Sequence, residues 1–442
     1  MHTSLQVIVT LLDLVPLIAA IPSFIGHTRS DNFTRLPPSV STYQQELGPR
    51  LSKNATLYFP NSAGYINDTE RWAANTKSNF SVVVVPGTAQ DVAATVSFAD
   101  TYNVPFLAVN KGHGGAAGLA TVYNGIQIYI RALDDIEVSE DGNSASMGGG
   151  VYQDQLVNYL FDRGKAASSG ACACTGVMGP GLGGGFGRFS GYYGLVLDSI
   201  IELDVVLANG SIITVSESSH SDLFWGMRGA GHNFGIVTRF SYKIYDIPHP
   251  DWFFSTMTFT NDKLEAVFEA LNTFGANGTQ PKEAVTYTLY TLNPEISATE
   301  PVVIFVLQFG ASAAEAAPIL APFFALKPLS ATNETVPYTG AAHAAGAGDT
   351  DATCLPGVSA QLYPVGLQTY NISTNRAIYN LYKTMVNENP GLNTSIVQFE
   401  GYAQQGIRAV EPDSTAYAHR GDSLLVYVVP HSLPSCKLHS NT

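Results

Sequence analysis

The sequence has few charged residues and no basic segment. Charged residues make up 13% of the 442 positions, and the formal net charge is −14. Soluble proteins usually contain about 25% charged residues. Because 45% of the residues are apolar, the chain can bury a large core, which excludes a disordered or coiled-coil protein. An acidic chain without basic runs binds nucleic acids and anionic membranes poorly, so we expect neither partner.

Cysteine is also scarce. The chain contains Cys172, Cys174, Cys354 and Cys436, too few for a disulfide framework in a protein of this length. The C-x-C pair at 172 and 174 has no second pair and no histidine nearby in the sequence, so we expect no metal site. Each of these two cysteines is either part of a disulfide with a distant partner or a free thiol.

Long apolar segments are few. Residues 7–20 form an apolar stretch that ends in small residues, as secretory signal peptides do, and we expect residues 1–22 to be one. No lysine or arginine precedes the stretch, and Asp13 and Pro16 interrupt it, so a buried N-terminal segment is the alternative. No other apolar run approaches the ~18 residues of a membrane span.

Glycosylation sequons support a secreted, extracellular protein. Nine N-x-S/T triplets occur, and each marks a surface position in a secreted glycoprotein. The sequons begin at Asn32, Asn54, Asn67, Asn79, Asn209, Asn277, Asn333, Asn371 and Asn393.

Apolar patterning predicts a mixture of strands and helices. The β-branched run Val82–Val85 predicts a buried strand, Thr88 and Asp91 a helix start, and Pro105–Val109 a second strand, which together form a β-α-β unit. Asn209-Gly210 between two apolar runs predicts a hairpin. Further predicted elements are the hairpin strands 200–207 and 211–215, helix 221–227 capped by Ser221, strands 236–245, 285–292 and 302–309, and helix 263–273.

Two glycine-rich loops contain the candidate functional residues. The first, Gly112–Gly115, follows a predicted strand and contains His113. Glycines allow backbone N–H groups to turn toward a phosphate, whereas His113 is either functional or simply solvated. The second loop, residues 168–187, has seven glycines between Gly176 and Gly187. Either a broad, rigid group lies against its backbone or the loop packs very tightly.

The second loop does not match the common nucleotide-binding motifs. Gly179, Gly181 and Gly184 spell G-x-G-x-x-G, but Pro180 lies inside the turn. No apolar strand leads into the motif, and further glycines disrupt the helix that a dinucleotide-binding fold requires. A P-loop is excluded because the chain has no G-K-[ST] sequence.

The two loops resemble those of secreted FAD-linked oxidases with a flavin domain of the vanillyl-alcohol-oxidase (PCMH) type. This group includes berberine bridge enzyme-like and fungal oligosaccharide oxidase-like proteins. Three further stretches resemble family motifs: D-L-F-W-x-x-R-G at 222–229, N-F-G-[IV]-V-T at 233–238 and A-[FY]-x-H-R at 416–420. The resemblance covers residues 36–430, with its motifs in the family's order.

The resemblance implies an α+β fold. It has a two-subdomain PCMH-type FAD-binding domain over residues 23–248 and an α+β substrate domain with an antiparallel sheet over 249–398. Residues 399–442 would be a partial return segment to the FAD domain. Family members continue into an N-Y-x-D-like motif, whereas residues 431–442 have no apolar periodicity. We therefore expect a truncated C-terminus.

The resemblance also implies covalent FAD, joined through its 8α-methyl group to His113 and, in many members, through C6 to a cysteine. Cys172 lies eleven residues before the glycine triplet at 183–185, as in the family, and Cys174 lies two residues too late. The chain has V-N-K-G-H where many members have R-S-G-G-H. The other implied cofactor-binding positions are Gly112, Gly114, Gly115, Gly176, Gly179, Gly183, Gly184, Gly185, Gly235, Ile236 and Val237.

The implied activity is an FAD-dependent oxidoreductase reaction. We expect hydride transfer from a hydroxyl-bearing or C–H substrate to FAD, and reoxidation by O2 to give H2O2. Glu400, Tyr402 and Tyr417 are candidates for the general base, although each would also fit an ordinary strand. The alternatives are a dehydrogenase that excludes O2 and a non-catalytic or impaired flavin- or substrate-binding remnant. We expect a monomer that acts on a small molecule, either a carbohydrate or an aromatic metabolite.

Overall fold

The computed structural model describes residues 37–432, except positions 276, 277, 358, 361, 423 and 430. The predicted signal peptide, the sequons at Asn32 and Asn277, and Cys436 lie outside the described residues. Among the helices that are described, none has the length and apolar character needed to cross a bilayer.

The described strands form sheets of four, five and seven strands and two short two-stranded pairs. The strands are β1 Thr56–Tyr58, β2 Asn79–Val85, β3 Phe106–Val109, β4 Tyr123–Tyr129, β5 Ile136–Val138, β6 Ser144–Gly148, β7 Lys165–Ala166, β8 Ile200–Val206, β9 Ile212–Ser216, β10 Ile236–Lys243, β11 Tyr245–Asp246, β12 Asp251–Phe259, β13 Ala284–Thr291, β14 Val302–Phe309, β15 Ser330–Pro337, β16 Ser359–Ala360, β17 Tyr363–Leu367, β18 Ile396–Tyr402, β19 Leu424–Val429 and β20 His431–Ser432. The α-helices are α1 Val40–Thr42, α2 Ala63–Asp68, α3 Ala89–Tyr102, α4 Gln153–Phe161, α5 Met178–Gly181, α6 Ser190–Tyr193, α7 Ser221–Ala230, α8 Leu264–Gly275, α9 Ala313–Ala325, α10 Ala341–Ala344, α11 Ile372–Glu388 and α12 Gln405–Arg408.

The four-stranded sheet has the order β1-β2-β4-β3, with β2, β4 and β3 parallel. The Thr88 side chain accepts a hydrogen bond from the Asp91 N–H and caps α3, and Asn103 ends the helix in the left-handed conformation. Val92 and Val96 of α3 are buried against the sheet. The predicted strand–helix–strand unit is present, but β4 lies between its two strands.

The five-stranded antiparallel sheet has the order β5-β6-β10-β8-β9. β8 and β9 form the predicted hairpin, and Gly210 in its turn has a φ of 77°. The prediction that Ser221 caps α7 is wrong. His220 is the N-cap residue because the turn after β9 gives it a φ of 51°, and the helix already includes Ser221.

The seven-stranded sheet has the order β15-β12-β14-β13-β18-β19-β17, and neighbouring strands are antiparallel. Its core includes side chains from α8, α9 and α11. The predicted α+β fold and the antiparallel substrate-domain sheet are confirmed. The domain boundaries stay predictions.

Candidate active site

The loop after β3 places His113 in an open cavity whose lining also includes Trp72, Lys111 and Asp349. The indole ring of Trp72 stacks on the His113 imidazole, with ring centroids 5.2 Å apart. Lys111, also on this loop, forms an ion pair of 3.1 Å with Asp349. Gly112 has a φ of 74°, and a Cβ there would lie 3.0 Å from the Glu70 carbonyl oxygen. Glycine at this position therefore lets the loop turn and pack closely.

The environment of His113 keeps its imidazole neutral. Burial, and to a lesser extent the positive charges of Lys111 and Arg71, lower the pKa of His113 to about 4. A neutral imidazole has an unprotonated ring nitrogen that can act as a nucleophile or accept a proton. His113 is therefore available for bond formation at neutral pH.

The lowered pKa of His113 predicts a loss of stability in acid. Between about pH 6.5, the usual histidine value, and pH 4, the unfolded chain binds a proton that the folded chain does not. The contribution of His113 to the free energy of unfolding therefore falls as the pH falls, by at most about 1.4 kcal/mol per pH unit. Urea unfolding of the wild type and of His113→Gln between pH 7 and 4 tests this. Parallel curves for the two proteins would contradict it.

Three cysteines surround the His113 ring. Cys174 and Cys354 form a disulfide, and Cys172 is a free thiol. The Cys174 sulfur lies 3.0 Å from His113 Nε2, and the donor atoms of all four residues lie within 4.8 Å of one another. Because the disulfide occupies two sulfurs, only His113 and Cys172 are left as metal donors, fewer than a structural zinc site uses. Burial raises the pKa of the Cys172 thiol, and the negative charges of Asp349 and Glu400 raise it slightly more.

Close packing explains most glycines of the second loop. A Cβ at Gly176 would lie 2.7 Å from the Asn110 side chain, and one at Gly184 would lie 2.8 Å from the Tyr417 ring. Added Cβ atoms at Gly183 and Gly185 would similarly collide with His232 and Val196, whereas one at Gly179 would meet nothing within 4 Å. The sequence allowed either a bound group against this loop or tight packing of the loop itself. Tight packing accounts for Gly176 and for the glycine triplet.

The other predicted cofactor-binding positions lie in packed surroundings. A Cβ at Gly235 would lie 2.4 Å from Val205, and the side chains of Ile236 and Val237 are buried in apolar cores. In the first loop, a Cβ at Gly114 would lie 2.8 Å from Leu119 and one at Gly115 would lie 3.6 Å from Leu362. A contact with a cofactor at positions 235–237 would therefore involve backbone atoms.

Glu400 and Tyr402 belong to one buried polar cluster on the seven-stranded sheet. The carboxylate of Glu400, which is 6% exposed, accepts hydrogen bonds from Tyr402 Oη at 2.7 Å, Tyr427 Oη at 2.6 Å and Gln398 Nε2 at 2.7 Å. Tyr287 Oη lies 3.1 Å from Tyr402 Oη. Burial raises the pKa of Glu400 despite these hydrogen bonds. The cluster therefore presents a carboxylate of increased basicity with tyrosine hydroxyls around it.

Phe186 connects the second glycine-rich loop to this cluster. Its ring stacks on the Tyr402 ring, with centroids 5.1 Å apart. The charge of Glu400 also contributes to the raised pKa of Cys172. The fold thus brings two of the predicted base candidates close to the predicted flavin-linking cysteine.

Tyr417, the third candidate for the general base, is not part of the polar cluster around Glu400. Its ring packs against Gly184, and its backbone nitrogen would lie 2.3 Å from a Cβ added at Gly229. Burial raises its pKa to about 12. Tyr417 therefore contacts the second glycine-rich loop from outside the Glu400 cluster.

Sequence reasoning missed Tyr287, Tyr427 and Arg188. Arg188 is 4% exposed and donates to Gln308 Oε1 and to the Ala171 and Ala341 carbonyl oxygens at 2.9–3.2 Å. It therefore anchors the backbone beside Cys172. Gln398 was missed as well, although its spacing from Glu400 and Tyr402 was a usable signal, because residues two apart on a strand share a face.

Comparisons with known proteins show which family this chain is similar to. Residues 80–216 match the family model of an FAD binding domain. The FAD-linked oxidoreductase anuG of Penicillium roqueforti is 39% identical over 406 residues, which cover 92% of this chain and 80% of that protein.

Two solved structures show the fold. A xylooligosaccharide oxidase from Myceliophthora thermophila, in complex with xylobiose, has a TM-score of 0.73 at 23% identity, over 87% of this chain and 82% of that one. A glucooligosaccharide oxidase from Acremonium strictum with 6-S-cysteinyl, 8α-N1-histidyl FAD has a TM-score of 0.74 at 23% identity, over 88% of this chain and 82% of that one. The predicted PCMH-type fold is confirmed.

Proposed function

This chain belongs to the FAD-linked oxidoreductases, and on that basis we propose that it oxidises a small hydroxyl-bearing or C–H substrate by hydride transfer to covalently attached FAD, with O2 as electron acceptor and H2O2 as product. When bound, FAD supplies the hydride acceptor and the reaction with O2. The observation that carries the proposal is the neutral His113 imidazole and the free Cys172 thiol, within 4.8 Å of each other.

The residues around His113 fit covalent attachment of a flavin. The 8α-methyl group and C6 are both carried by the same flavin ring, so their protein partners must lie close together, as His113 and Cys172 do. Cys174 is held in a disulfide, which leaves Cys172 as the thiol for C6. Histidyl and cysteinyl linkages together occur in the Acremonium strictum oxidase. We therefore assign His113 and Cys172 as the attachment residues.

Glu400 is the proposed proton acceptor. Burial raises its pKa, which makes its ionised form a stronger base toward a substrate hydroxyl or C–H group. Tyr402 Oη donates to Glu400 Oε2, so a substrate proton reaches this carboxylate either directly or through the Tyr402 hydroxyl. Tyr287, at 3.1 Å from Tyr402 Oη, holds that hydroxyl in place.

The proposed substrate is a carbohydrate or an aromatic metabolite. The tyrosines of the cluster offer both hydroxyl groups for hydrogen bonding and ring faces for stacking. The xylobiose complex of the Myceliophthora thermophila oxidase favours the carbohydrate among these two classes. A panel of oligosaccharides and phenolic alcohols separates them.

We predict that the flavin stays with the protein after acid precipitation. Peptide mass mapping should place one flavin on the His113 peptide and on the peptide that contains Cys172. His113→Ala should reduce flavin retention strongly, whereas Tyr123→Phe, a change on an exposed tyrosine outside the site, should leave it unchanged.

Peroxide-coupled screening of the substrate panel then tests turnover. Complete release of flavin into the acid supernatant would contradict attachment, and turnover only with artificial acceptors would indicate a dehydrogenase.

We also propose that the protein is secreted and glycosylated. The asparagines of all seven sequons that lie in the described residues are exposed, as N-glycosylation requires. Expressed in a fungal host, the chain should enter the medium, begin near residue 23 and lose mass on treatment with an N-glycosidase. An unglycosylated intracellular product that retains Met1 would contradict this.

A further inference from the structure

The Cys172 thiol touches both sulfurs of the neighbouring disulfide. Its Sγ lies 3.4 Å from Cys174 Sγ and 3.8 Å from Cys354 Sγ. These distances are close to sulfur–sulfur contact, so both disulfide sulfurs lie next to the free thiol. Because the three sulfurs are in contact, the disulfide bond can join different pairs of these cysteines, with the third left as a thiol.

The backbone around this cluster is held in place. The Ala171 carbonyl accepts from Arg188 at 3.2 Å, the Cys172 carbonyl accepts from Thr175 Oγ1 at 3.0 Å, and the Ala173 N–H donates to the Ala347 carbonyl at 2.9 Å. A change of sulfur pairing therefore involves rotation of cysteine side chains, while the loop keeps its place beside His113.

We propose that these three cysteines form a thiol–disulfide exchange centre that selects which thiol faces the flavin site. The Cys172 thiolate attacks Cys354 Sγ, a Cys172–Cys354 bond forms, and the Cys174–Cys354 bond breaks. The electron pair of the broken bond leaves with Cys174 as a thiolate. One thiol and one disulfide exist before and after the step, so no oxidant or reductant is consumed.

The His113 imidazole lies beside the thiol that the exchange would release. Its Nε2 lies 3.0 Å from the Cys174 sulfur, and the Cys172 sulfur lies within 4.8 Å of the ring nitrogen. Solvent takes the Cys172 proton and returns one to the leaving Cys174 thiolate, because an imidazole with a pKa of about 4 is too weak a base for a thiol whose pKa is raised. Since burial raises the pKa of Cys172, little thiolate exists at neutral pH, and exchange is slow there and faster in alkaline solution.

The consequence for flavin attachment rests on the proposed function. A chain that first forms the Cys172–Cys354 bridge leaves Cys174 as the free thiol beside His113. The reverse exchange restores Cys172 as the thiol, at the position assigned to the flavin. The centre thus corrects the pairing before the cysteinyl link forms.

The first test follows thiol pairing in the full chain with Cys436→Ser, so that only the three clustered cysteines remain. Flavin-free chains, identified by mass, are incubated with N-ethylmaleimide from pH 7 to 9, digested in acid without reductant and sequenced by mass spectrometry. We expect chains alkylated at Cys174 that carry a Cys172–Cys354 bridge, formed about tenfold faster per pH unit while Cys172 is mostly protonated. Alkylation of Cys172 alone at every pH would overturn the proposal.

Matched serine variants give the second test. In the same Cys436→Ser background, Cys174→Ser should contain a Cys172–Cys354 disulfide, and Cys172→Ser should contain the Cys174–Cys354 disulfide with no thiol. A folded Cys174→Ser chain with two free thiols would show that Cys172 and Cys354 do not pair, and would overturn the proposal. These readouts come from flavin-free chains, so failure of flavin attachment would contradict the proposed function and leave the exchange intact.

Discussion

We expect Glu400→Gln to lower kcat by about 10²–10⁴-fold, the usual contribution of a general base. Glutamine has the shape of glutamate, and the hydroxyls of Tyr402 and Tyr427 can rotate to accept from its amide, so the cluster keeps its packing. What is lost is the carboxylate that takes the substrate proton. Steady-state kinetics with a substrate found in the peroxide-coupled screen measure the effect.

The control for this substitution is Glu283→Gln. Glu283 also accepts a hydrogen bond from a tyrosine, Tyr192, at 2.8 Å, but it lies outside the Glu400 cluster, so kcat should not change. In the wild type, kcat/KM should fall as the pH drops through the raised pKa of Glu400, because protonation removes the base. This acidic limb should be absent in Glu400→Gln. An unchanged kcat and pH profile would remove Glu400 from the mechanism.

We expect Arg420→Met to destabilise the fold by about 3–5 kcal/mol, the usual cost of breaking a buried ion pair. Arg420 donates to both carboxylate oxygens of Asp198, at 2.6 and 3.0 Å, and the two side chains are 4% and 3% exposed. Methionine fills much of the same volume but removes the positive charge, and the buried Asp198 carboxylate keeps the Leu195 N–H, at 2.8 Å, as a neutral donor. Urea unfolding at pH 7 measures the loss.

Arg239→Met is the matched control. Its partner is Asp135, and these side chains are 40% and 58% exposed, so water already solvates both charges. Exposed pairs contribute at most about 1 kcal/mol. If the two substitutions had equal effects, burial would not be what makes the Arg420–Asp198 pair important.

Local signals predicted many individual elements. The Val82–Val85 run, the cap at Thr88 and the Asn209-Gly210 turn each depend on residues only a few positions apart, and each is present where predicted. Strand order was not accessible in this way. β4 lies between β2 and β3. The sequence did not predict this order because strands pair through their backbones, and the side-chain pattern of a strand does not specify which strand lies next to it.

The sequence by itself determined the local elements, the two glycine-rich loops and, through ordered motifs, the flavoprotein family. Only the tertiary structure decided which distant residues meet. Cys174 and Cys354 are separated by 180 positions, and Tyr427 reaches Glu400 through the pairing of β18 with β19. Likewise, close contacts with Asn110 and Tyr417 explain why positions 176 and 184 are glycines. From the sequence alone, a bound group against the loop was an equally good explanation. The physical reason is that hydrogen bonding and capping act over a few residues, whereas side-chain contact depends on how the whole chain packs.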